Sequence, residues 1–361
     1  MLPIDELAVS VFVVPTDGPE SDGTLEWHET TVVVVEAAAG GRRGVGYTYA
    51  DRATASVVDH TLRAVVVGAN AMDVTATWDA MARSIRNLGR PGIASMAISA
   101  VDMALWDLKA RLLDLPLVTL LGMRRRRAPL YGSGGFTSYG IDRLTEQLHS
   151  WAAAGFARVK MKVGREPERD PERVEAARKA IGPMVELFVD ANGAYGQKQA
   201  LGLARVFGEL GVVWFEEPVS SDDLEGLRLV RDRGPEGMAI AAGEYGYDTF
   251  YFRRMLEAGA VDTLQADGSR CGGITGLLQV DALCKARNMP LSLHCAPQLH
   301  AHVACALGRF VHLEYFHDHQ RIERMLFDGT LQPSSGELVP DLSAPGAGIE
   351  LKKEDVERFR I

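Results

Sequence analysis

Ionisable side chains recur along the second part of the chain, each at the end of a short apolar run. Successive positions are 20 to 28 residues apart, which is the length of one strand–helix unit. In a parallel barrel the carboxyl ends of all strands open at one mouth, so these side chains would converge there. The positions are Lys160 and Lys162, Asp190, Glu216, Glu244, Asp267, His294 and Glu314.

Three of these positions are carboxylates on successive runs, Asp190, Glu216 and Glu244. Their charges would repel strongly at one mouth unless a cation lay among them. A set with oxygen donors alone predicts Mg²⁺ rather than a softer metal. Glu217 follows Glu216 directly, and strand alternation would point it to the other face. We therefore assign Glu216 as the metal ligand and Glu217 as a structural residue.

Lys160 and Lys162 lie two positions apart in a run with strand character, so their side chains share a face. Each ammonium group should lower the pKa of its neighbour, and a lysine near neutrality is a usable general base. The alternative is that both lysines simply pair with the carboxylates. Their position within an apolar run makes that alternative less favoured.

Asp267 and His294 end neighbouring runs. A carboxylate can fix the tautomer of a histidine and raise its basicity, so this pair would form a second acid/base on the side of the mouth opposite the lysines. Glu314, on the next run, could hydrogen-bond a substrate oxygen if it is protonated.

The elements that would carry these residues begin near residue 128, where eight β-rich runs alternate with helical stretches up to Tyr315. Alternating strand and helix units predict a parallel sheet, and eight of them predict a closed α/β barrel. About 200 residues is short for this fold, which suggests that one helix is missing or replaced. The predicted class is therefore a modified TIM barrel of the (β/α)7β type.

The first part of the chain predicts a different unit. Residues 5–14 and 30–39 are typical of an antiparallel strand pair, and residues 15–29 between them form a polar, turn-rich stretch that predicts a loop. A loop of that length inside a domain is often a lid, although a mobile surface loop without a role is an alternative. Apolar stripes over 78–88 and 98–112 predict helices that follow the strands, which indicates an α+β capping domain.

We divide the chain on these grounds into three parts. Residues 1–125 would form the capping domain, residues 126–326 the barrel with the active site, and residues 327–361 a segment that packs back on the capping domain.

Composition excludes several classes of protein. Apolar residues make up 47% and charged residues 24% of the 361 positions, which is typical of a globular protein. The formal charge of −9 argues against a nucleic-acid binder, and the basic run at 124–127 is interpreted as a solvated loop. No signal-like start, membrane-length apolar stretch or CxxC pair is visible, so we expect a cytoplasmic protein with four thiols.

Taken together, these residues resemble a known family, the mandelate racemase subgroup of the enolase superfamily. The resemblance covers nearly the whole chain and includes a helix at 100–109 in the first part. The matching stretches in the barrel are Val159-Lys-Met-Lys-Val163, Val189-Asp-Ala-Asn192, Trp214-Phe-Glu-Glu-Pro218, Ala242-Gly-Glu244, Ala266-Asp267, His294 and Leu313-Glu314.

The resemblance implies a shared half-reaction, in which Mg²⁺ binds a substrate carboxylate and a base removes the proton on the α-carbon. It implies that Lys162 and His294 are bases on opposite faces of the substrate. Lys160 would contact the substrate carboxylate and tune Lys162, Asp267 would orient His294, and Glu314 would bind a carboxylate oxygen. Lys160, Asn192, Glu314 and His28 are the expected substrate-binding residues.

Three outcomes remain open at this point. Dehydration of a sugar acid to a 2-keto-3-deoxy acid ranks first, because the predicted lid with Asp17, Glu20, Asp22 and His28 suits a polyol. Racemisation or epimerisation of an α-hydroxy or α-amino acid is second, and a non-catalytic barrel that binds a metal or ligand is third. The lactonising and epimerising branch of the superfamily is set aside, because Asp267-Gly-Ser stands where that branch keeps a lysine. The expected partners are a small-molecule carboxylate and other copies of the chain, with no nucleic acid and no membrane.

Overall fold

The computed structural model describes residues 1–352 and 354–361. The chain starts with an antiparallel sheet of order β1-β2-β3, whose strands are Glu6–Ser21, Glu26–Ala39 and Arg42–Tyr49. β-branched residues of β2 fill its buried positions, including Val32 to Val35. This sheet is the base of the capping unit.

The predicted loop at 15–29 is wrong, because β1 and β2 continue as a long hairpin. Glu20 pairs with Trp27 beyond a register shift, and the turn itself is confined to the residues around Asp22. The Asp22 carboxylate accepts the backbone N–H groups of Thr24 and Leu25 and so closes that turn. The Asp-Gly signal at 17–18 lies in the register shift, which is why the sequence indicated a loop there.

Five α-helices follow the sheet. They are α1 (Ala53–Val57), α2 (Arg63–Val66), α3 (Val74–Ser84), α4 (Ile93–Leu112) and α5 (Leu117–Leu121), with a π-helical turn over Val58–Leu62 between the first two. α4 packs directly on β3, because Gly44 and Gly46 leave no side chain between the strand and the helix backbone. A Cβ atom on Gly46 would overlap the carbonyl oxygen of Ala100.

The predicted α/β barrel is confirmed. Eight parallel strands pair in chain order, and the last pairs with the first through Leu313 opposite Leu130, which closes the sheet. The strands are β4 (Ala128–Gly134), β5 (Arg158–Lys162), β6 (Glu186–Asp190), β7 (Val212–Glu216), β8 (Ala239–Ala242), β9 (Thr263–Ala266), β10 (Leu291–Leu293) and β11 (Phe310–Phe316).

A helix follows each of the eight strands, so the expectation of a missing or replaced helix is wrong. The helices are α6 (Ile141–Ala153), α7 (Asp170–Ile181), α8 (Gln197–Glu209), α9 (Leu224–Arg233), α10 (Thr249–Ala258), α11 (Gly273–Ala286), α12 (Pro297–Ala304) and α13 (His317–Leu326). The last of these is mostly polar in sequence and buries Ile322 and Leu326 together with Asp318 and Glu323. Its polar composition hid it from a search for apolar stripes.

The remaining residues contact both parts of the chain. β12 (Phe327–Asp328) pairs with β14 (Glu350–Leu351), and β13 (Glu337–Leu338) adds to the outer edge of β4. A short 3₁₀ turn, Glu357–Phe359, precedes the pairing of Arg360 with Phe12 on β1. The division at residues 125 and 326 stays a proposal.

No helix of the described residues is both long and apolar enough to cross a bilayer. The four cysteines are buried and free.

The contact between β3 and α4 gives a stability prediction. Gly46→Ala should lower the free energy of unfolding by about 1–3 kcal/mol or more, because the methyl group meets rigid helix backbone. Equilibrium urea unfolding measures the effect. Gly202→Ala on α8 is the control: nothing lies within 4 Å of the added methyl group, so stability should be unchanged or rise by about 1 kcal/mol. An equal effect of the two variants would contradict the close contact.

Candidate active site

The eight predicted side chains, from seven strands, come together around the carboxyl ends of the barrel strands. Asp190 and Glu216 are the last residues of β6 and β7 and lie directly opposite each other in the sheet. Lys162 ends β5 and is the register partner of Asp190. The barrel register therefore brings these side chains to one level of the mouth, and all of them are buried.

The three carboxylates of Asp190, Glu216 and Glu244 form a compact cluster. Each offers an oxygen atom, and these atoms lie within 4.8 Å of one another. The indole N–H of Trp214 donates to Glu216 Oε2 at 2.9 Å, whereas Glu244 Oε2 is buried and has no hydrogen-bond partner among the described residues. Ligand oxygens around Mg²⁺ are separated by roughly 2.9–4.1 Å in an octahedral shell, so the donor set and its spacing fit this ion.

The two lysines are paired with these carboxylates, so the prediction that a lysine here has a pKa near neutrality is wrong. Lys160 Nζ lies 2.5 Å from Glu216 Oε1 and 2.8 Å from Glu314 Oε1, and Lys162 Nζ lies 2.6 Å from Asp190 Oδ2. Burial alone would lower the pKa of both lysines. The surrounding carboxylates outweigh burial and the mutual repulsion of the two ammonium groups, and the pKa of each lysine is raised.

The carboxylates of the cluster differ in their protonation. Burial and the neighbouring charge of Asp190 raise the pKa of Glu216 well above its usual range. Burial would also raise the pKa of Asp190, but the ammonium groups of Lys162 and Lys160 outweigh it and lower that pKa to about 2. Like charges in a buried space therefore leave one carboxylate ionised and favour a proton on the other when no cation is present.

Asp267 and His294 form the predicted pair. His294 Nδ1 lies 2.8 Å from Asp267 Oδ2, which leaves Nε2 directed at the mouth, 3.5 Å from Glu244 Oε2. Burial would raise the pKa of Asp267, but the hydrogen bond and charge of His294 outweigh it, and that pKa is lowered. An ionised Asp267 holds the imidazole in one orientation.

The surroundings of Glu314 favour its ionised form, whereas the hydrogen bond to a substrate oxygen considered above needs the protonated form. Ser133 Oγ donates to its Oε1 at 2.6 Å, and the Cys295 N–H donates to its Oε2 at 3.1 Å. Burial would raise the pKa of Glu314, but the ammonium group of Lys160 and then His294 lower it well below its usual range.

Asn192 and Glu217 both line a cavity of about 610 Å³ beside the cluster. The strand alternation expected for Glu217 does not hold, because β7 ends at Glu216 and Glu217 takes a left-handed φ of 39°. Glu217 is buried, and burial with the charge of Glu244 raises its pKa. Asn192 Oδ1 and Glu217 Oε1 are buried without a partner among the described residues, so both are available to a ligand.

His28 is not brought to the cluster. Its side chain is 71% exposed, and its nearest charged neighbour is Glu26 at 3.7 Å. The hairpin reaches the barrel through its turn instead: Thr24 lines the same cavity as Asn192, and a Cβ on Gly23 would lie 2.5 Å from the carbonyl oxygen of Ala191.

Comparisons with known proteins decide the family. The family described as mandelate racemase / muconate lactonizing enzyme, N-terminal domain, matches residues 8–122, and the enolase C-terminal domain-like family matches residues 143–356. The chain belongs to the mandelate racemase/muconate lactonizing enzyme family of the enolase superfamily.

Similar members of this family include a protein of Rubrobacter xylanophilus, described as mandelate racemase/muconate lactonizing enzyme-like. Its crystal structure is 57% identical, covers 99% of this chain and 100% of its own, and superposes with a TM-score of 0.98. The 3,6-anhydro-alpha-L-galactonate cycloisomerase of Streptomyces coelicolor is 32% identical over 99% of each chain. L-talarate dehydratase of Polaromonas sp. JS666, crystallised with Mg and L-glucarate, is 30% identical over 100% of this chain and 98% of its own, with a TM-score of 0.90.

The structure also shows side chains in this family member that the sequence analysis missed. Arg270 lies 3.5 Å from Glu244 Oε1 and 3.7 Å from Asp267 Oδ2, so it adds positive charge between the metal cluster and the His294 pair. Its position three residues after Asp267 in the sequence could have indicated that Arg270 lies near the site. Ser133 is uncharged and is the next-to-last residue of β4, the barrel strand for which no polar residue was proposed. Cys295 follows His294 directly, and no role in the site was predicted for it.

The unpartnered oxygen of Glu244 gives a prediction about the metal. Glu244→Gln should weaken Mg²⁺ binding at least about tenfold, because a neutral amide replaces a charged ligand. Isothermal titration calorimetry measures the dissociation constant. Glu186→Gln is the matched control, since Glu186 pairs with Arg158 at the opposite end of β6 and is half exposed. Unchanged Mg²⁺ affinity of the Glu244 variant would exclude it as a ligand.

Proposed function

We propose that the protein is a Mg²⁺-dependent enzyme that removes the proton α to the carboxylate of a sugar acid and then expels the oxygen on the neighbouring carbon. The observation that supports this most is the pair of proton-transfer groups around one carboxylate cluster. Lys162 contacts the cluster from β5 at 2.6 Å, and His294 faces it from the end of β10, with four barrel strands between them on one side and two on the other.

The chemistry needs such an arrangement because a proton α to a carboxylate is very weakly acidic. When bound, Mg²⁺ supplies positive charge that stabilises the enediolate form of the substrate and weakens the attraction of Asp190 and Glu216 for the lysine protons. Lys162 would take the α-proton, and Lys160 would hold the substrate carboxylate. His294, fixed by Asp267 at 2.8 Å, would protonate the departing oxygen.

The nature of that oxygen decides the reaction class. If it is a free hydroxyl group, elimination releases water and the enzyme is a dehydratase. If it belongs to the ring ether of an anhydro sugar acid, the oxygen stays attached to the product and the same step is an isomerisation. The match to the cycloisomerase covers 99% of both chains. This coverage favours keeping isomerisation as a second candidate.

Asn192 and Glu217 would bind hydroxyl groups of the substrate, since each presents a buried oxygen without a partner to the same cavity. A polyol suits this lining better than an aromatic acid does, because every unpartnered buried oxygen needs a hydrogen-bond donor. Tyr251 lines the cavity as well and supplies a further hydroxyl group.

A product assay tests the function and separates the candidates. The protein with Mg²⁺ is incubated in D₂O with a panel of aldonates, aldarates and 3,6-anhydro sugar acids. A 2-keto-3-deoxy acid from an open-chain substrate supports the dehydratase, and ring opening without loss of water supports the cycloisomerase. Deuterium at the α-carbon with no elimination would instead support a racemase or epimerase, and no change across the panel would overturn the proposal.

The two proton-transfer groups give a prediction of their own. Lys162→Ala should abolish both turnover and α-proton exchange, whereas His294→Asn should abolish turnover and leave exchange. Each loss should be about 10²–10⁴-fold, which is the usual contribution of a general acid or base. A substrate of opposite configuration at the α-carbon would exchange the two roles.

Deuterium exchange followed by NMR at fixed Mg²⁺ measures both effects. Lys198→Ala, an exposed lysine on α8, is the control for loss of a positive charge and should keep both activities. Near wild-type dehydration by both site variants would show that neither residue is the base.

A further inference from the structure

We propose a second metal site in the mouth, formed by His294, Cys295 and Glu314, which binds a borderline or soft divalent cation such as Zn²⁺ and thereby blocks His294. The site lies beside the carboxylate cluster and differs from it in donor chemistry. It offers one imidazole nitrogen, one thiol sulfur and one carboxylate oxygen, all of them buried.

The three donor atoms have the spacing of one face of a zinc tetrahedron. His294 Nε2 lies 3.2 Å from Cys295 Sγ, Cys295 Sγ lies 3.4 Å from Glu314 Oε2, and His294 Nε2 lies 3.7 Å from Glu314 Oε2. Ordinary zinc–ligand bond lengths at a tetrahedral angle give separations of roughly 3.3–3.6 Å. A cation could therefore reach all three atoms with only small side-chain movements.

A fourth donor points to the same place. Glu244 Oε2 is buried, has no hydrogen-bond partner among the described residues and lies 3.5 Å from His294 Nε2. This unpartnered oxygen is independent of the thiol. Because Glu244 is also a proposed Mg²⁺ ligand, its carboxylate would bridge the two ions when both are bound.

The histidine is already held as metal-binding histidines usually are. Asp267 Oδ2 accepts a hydrogen bond from His294 Nδ1 over 2.8 Å, so the lone pair of Nε2 faces the cysteine and glutamate. The backbone conformation of Cys295 also favours metal binding. Its φ of 50° lies in the left-handed region, and its side chain is directed into the mouth beside His294.

Sulfur and imidazole donors select Zn²⁺ or Cd²⁺ over Mg²⁺, which prefers oxygen. On binding, the Cys295 S–H bond breaks, a sulfur–metal bond forms and the proton leaves to solvent. The lone pair of His294 is then occupied and cannot take or give a proton. The inhibitory effect rests on the proposed function, whereas the binding does not.

Binding is tested with Cd²⁺ as the probe on the full chain in saturating Mg²⁺, so that the carboxylate cluster is not the target. The wild type should bind one equivalent with the ultraviolet charge-transfer band of a cadmium–thiolate bond. Cys295→Ala should lose the band and bind Cd²⁺ at least about tenfold more weakly. Cys284→Ala, which removes a buried thiol on α11, is the control and should keep both.

Two further measurements decide the remaining cases. If Cys295→Ala does not fold by circular dichroism, Cys295→Ser must show the same loss of the band. In the activity assay, Zn²⁺ at fixed excess Mg²⁺ should inhibit the wild type and inhibit the folded Cys295 variant at least about tenfold less.

No band in the wild type, or a band that persists without the Cys295 thiol, would overturn the site even if the enzyme proves to be a dehydratase. A band without activity on any substrate would support the site and count against the proposed function alone.

Discussion

The burial of like charges at the barrel mouth is the constraint on which the rest of the site depends. Four carboxylates, those of Asp190, Glu216, Glu244 and Glu314, surround the two ammonium groups of Lys160 and Lys162 with almost no exposure to water. With all four carboxylates ionised, the excess over the two ammonium groups is two negative charges, which one divalent cation would neutralise. Buried charges are tolerated only when they are paired and held in a fixed geometry. The closed sheet provides that geometry because Lys162, Asp190 and Glu216 end three adjacent strands in register.

The capping unit helps to keep these charges buried. The tip of its hairpin packs against loops at the mouth of the barrel. The Ser21 hydroxyl group lies 2.6 Å from that of Thr137 in the loop after β4, and Gly23 lies against the backbone that follows β5 and β6. The hairpin base is tied to α13 through Thr30 and Asp318, also at 2.6 Å. These contacts place polar groups of the capping unit around the mouth, so the charges below are screened from bulk water on the side where a substrate would enter.

The sequence alone was sufficient to predict the barrel and to identify which residues form the charged cluster. The runs ending at Asp190 and Glu216 coincide with β6 and β7, because a strand buried on both faces is read directly from its apolar residues. The polar residue that ends such a run has no packing reason to be there, which is why its position carried the functional signal.

What could not be predicted depends on distances between elements. The pKa of Lys162 depends more on Asp190, which is on the next strand, than on Lys160, which is on the same strand. Only the register of the strands shows which neighbour is nearer. The hairpin at 15–29 was missed because strand pairing there is held by backbone hydrogen bonds under polar side chains. Ser133 was missed because an uncharged residue at a strand end has no distinctive pattern.

The indole of Trp214 has a consequence beyond the support of one carboxylate. It donates to Glu216 and stacks on Phe188 with ring centroids 5.0 Å apart, in an interior that water does not reach. Indole emission responds to the charge and polarity around the ring. Any change in the protonation or ligation of Glu216 therefore alters the surroundings of a buried fluorophore, and the protein has an intrinsic optical reporter beside its carboxylate cluster.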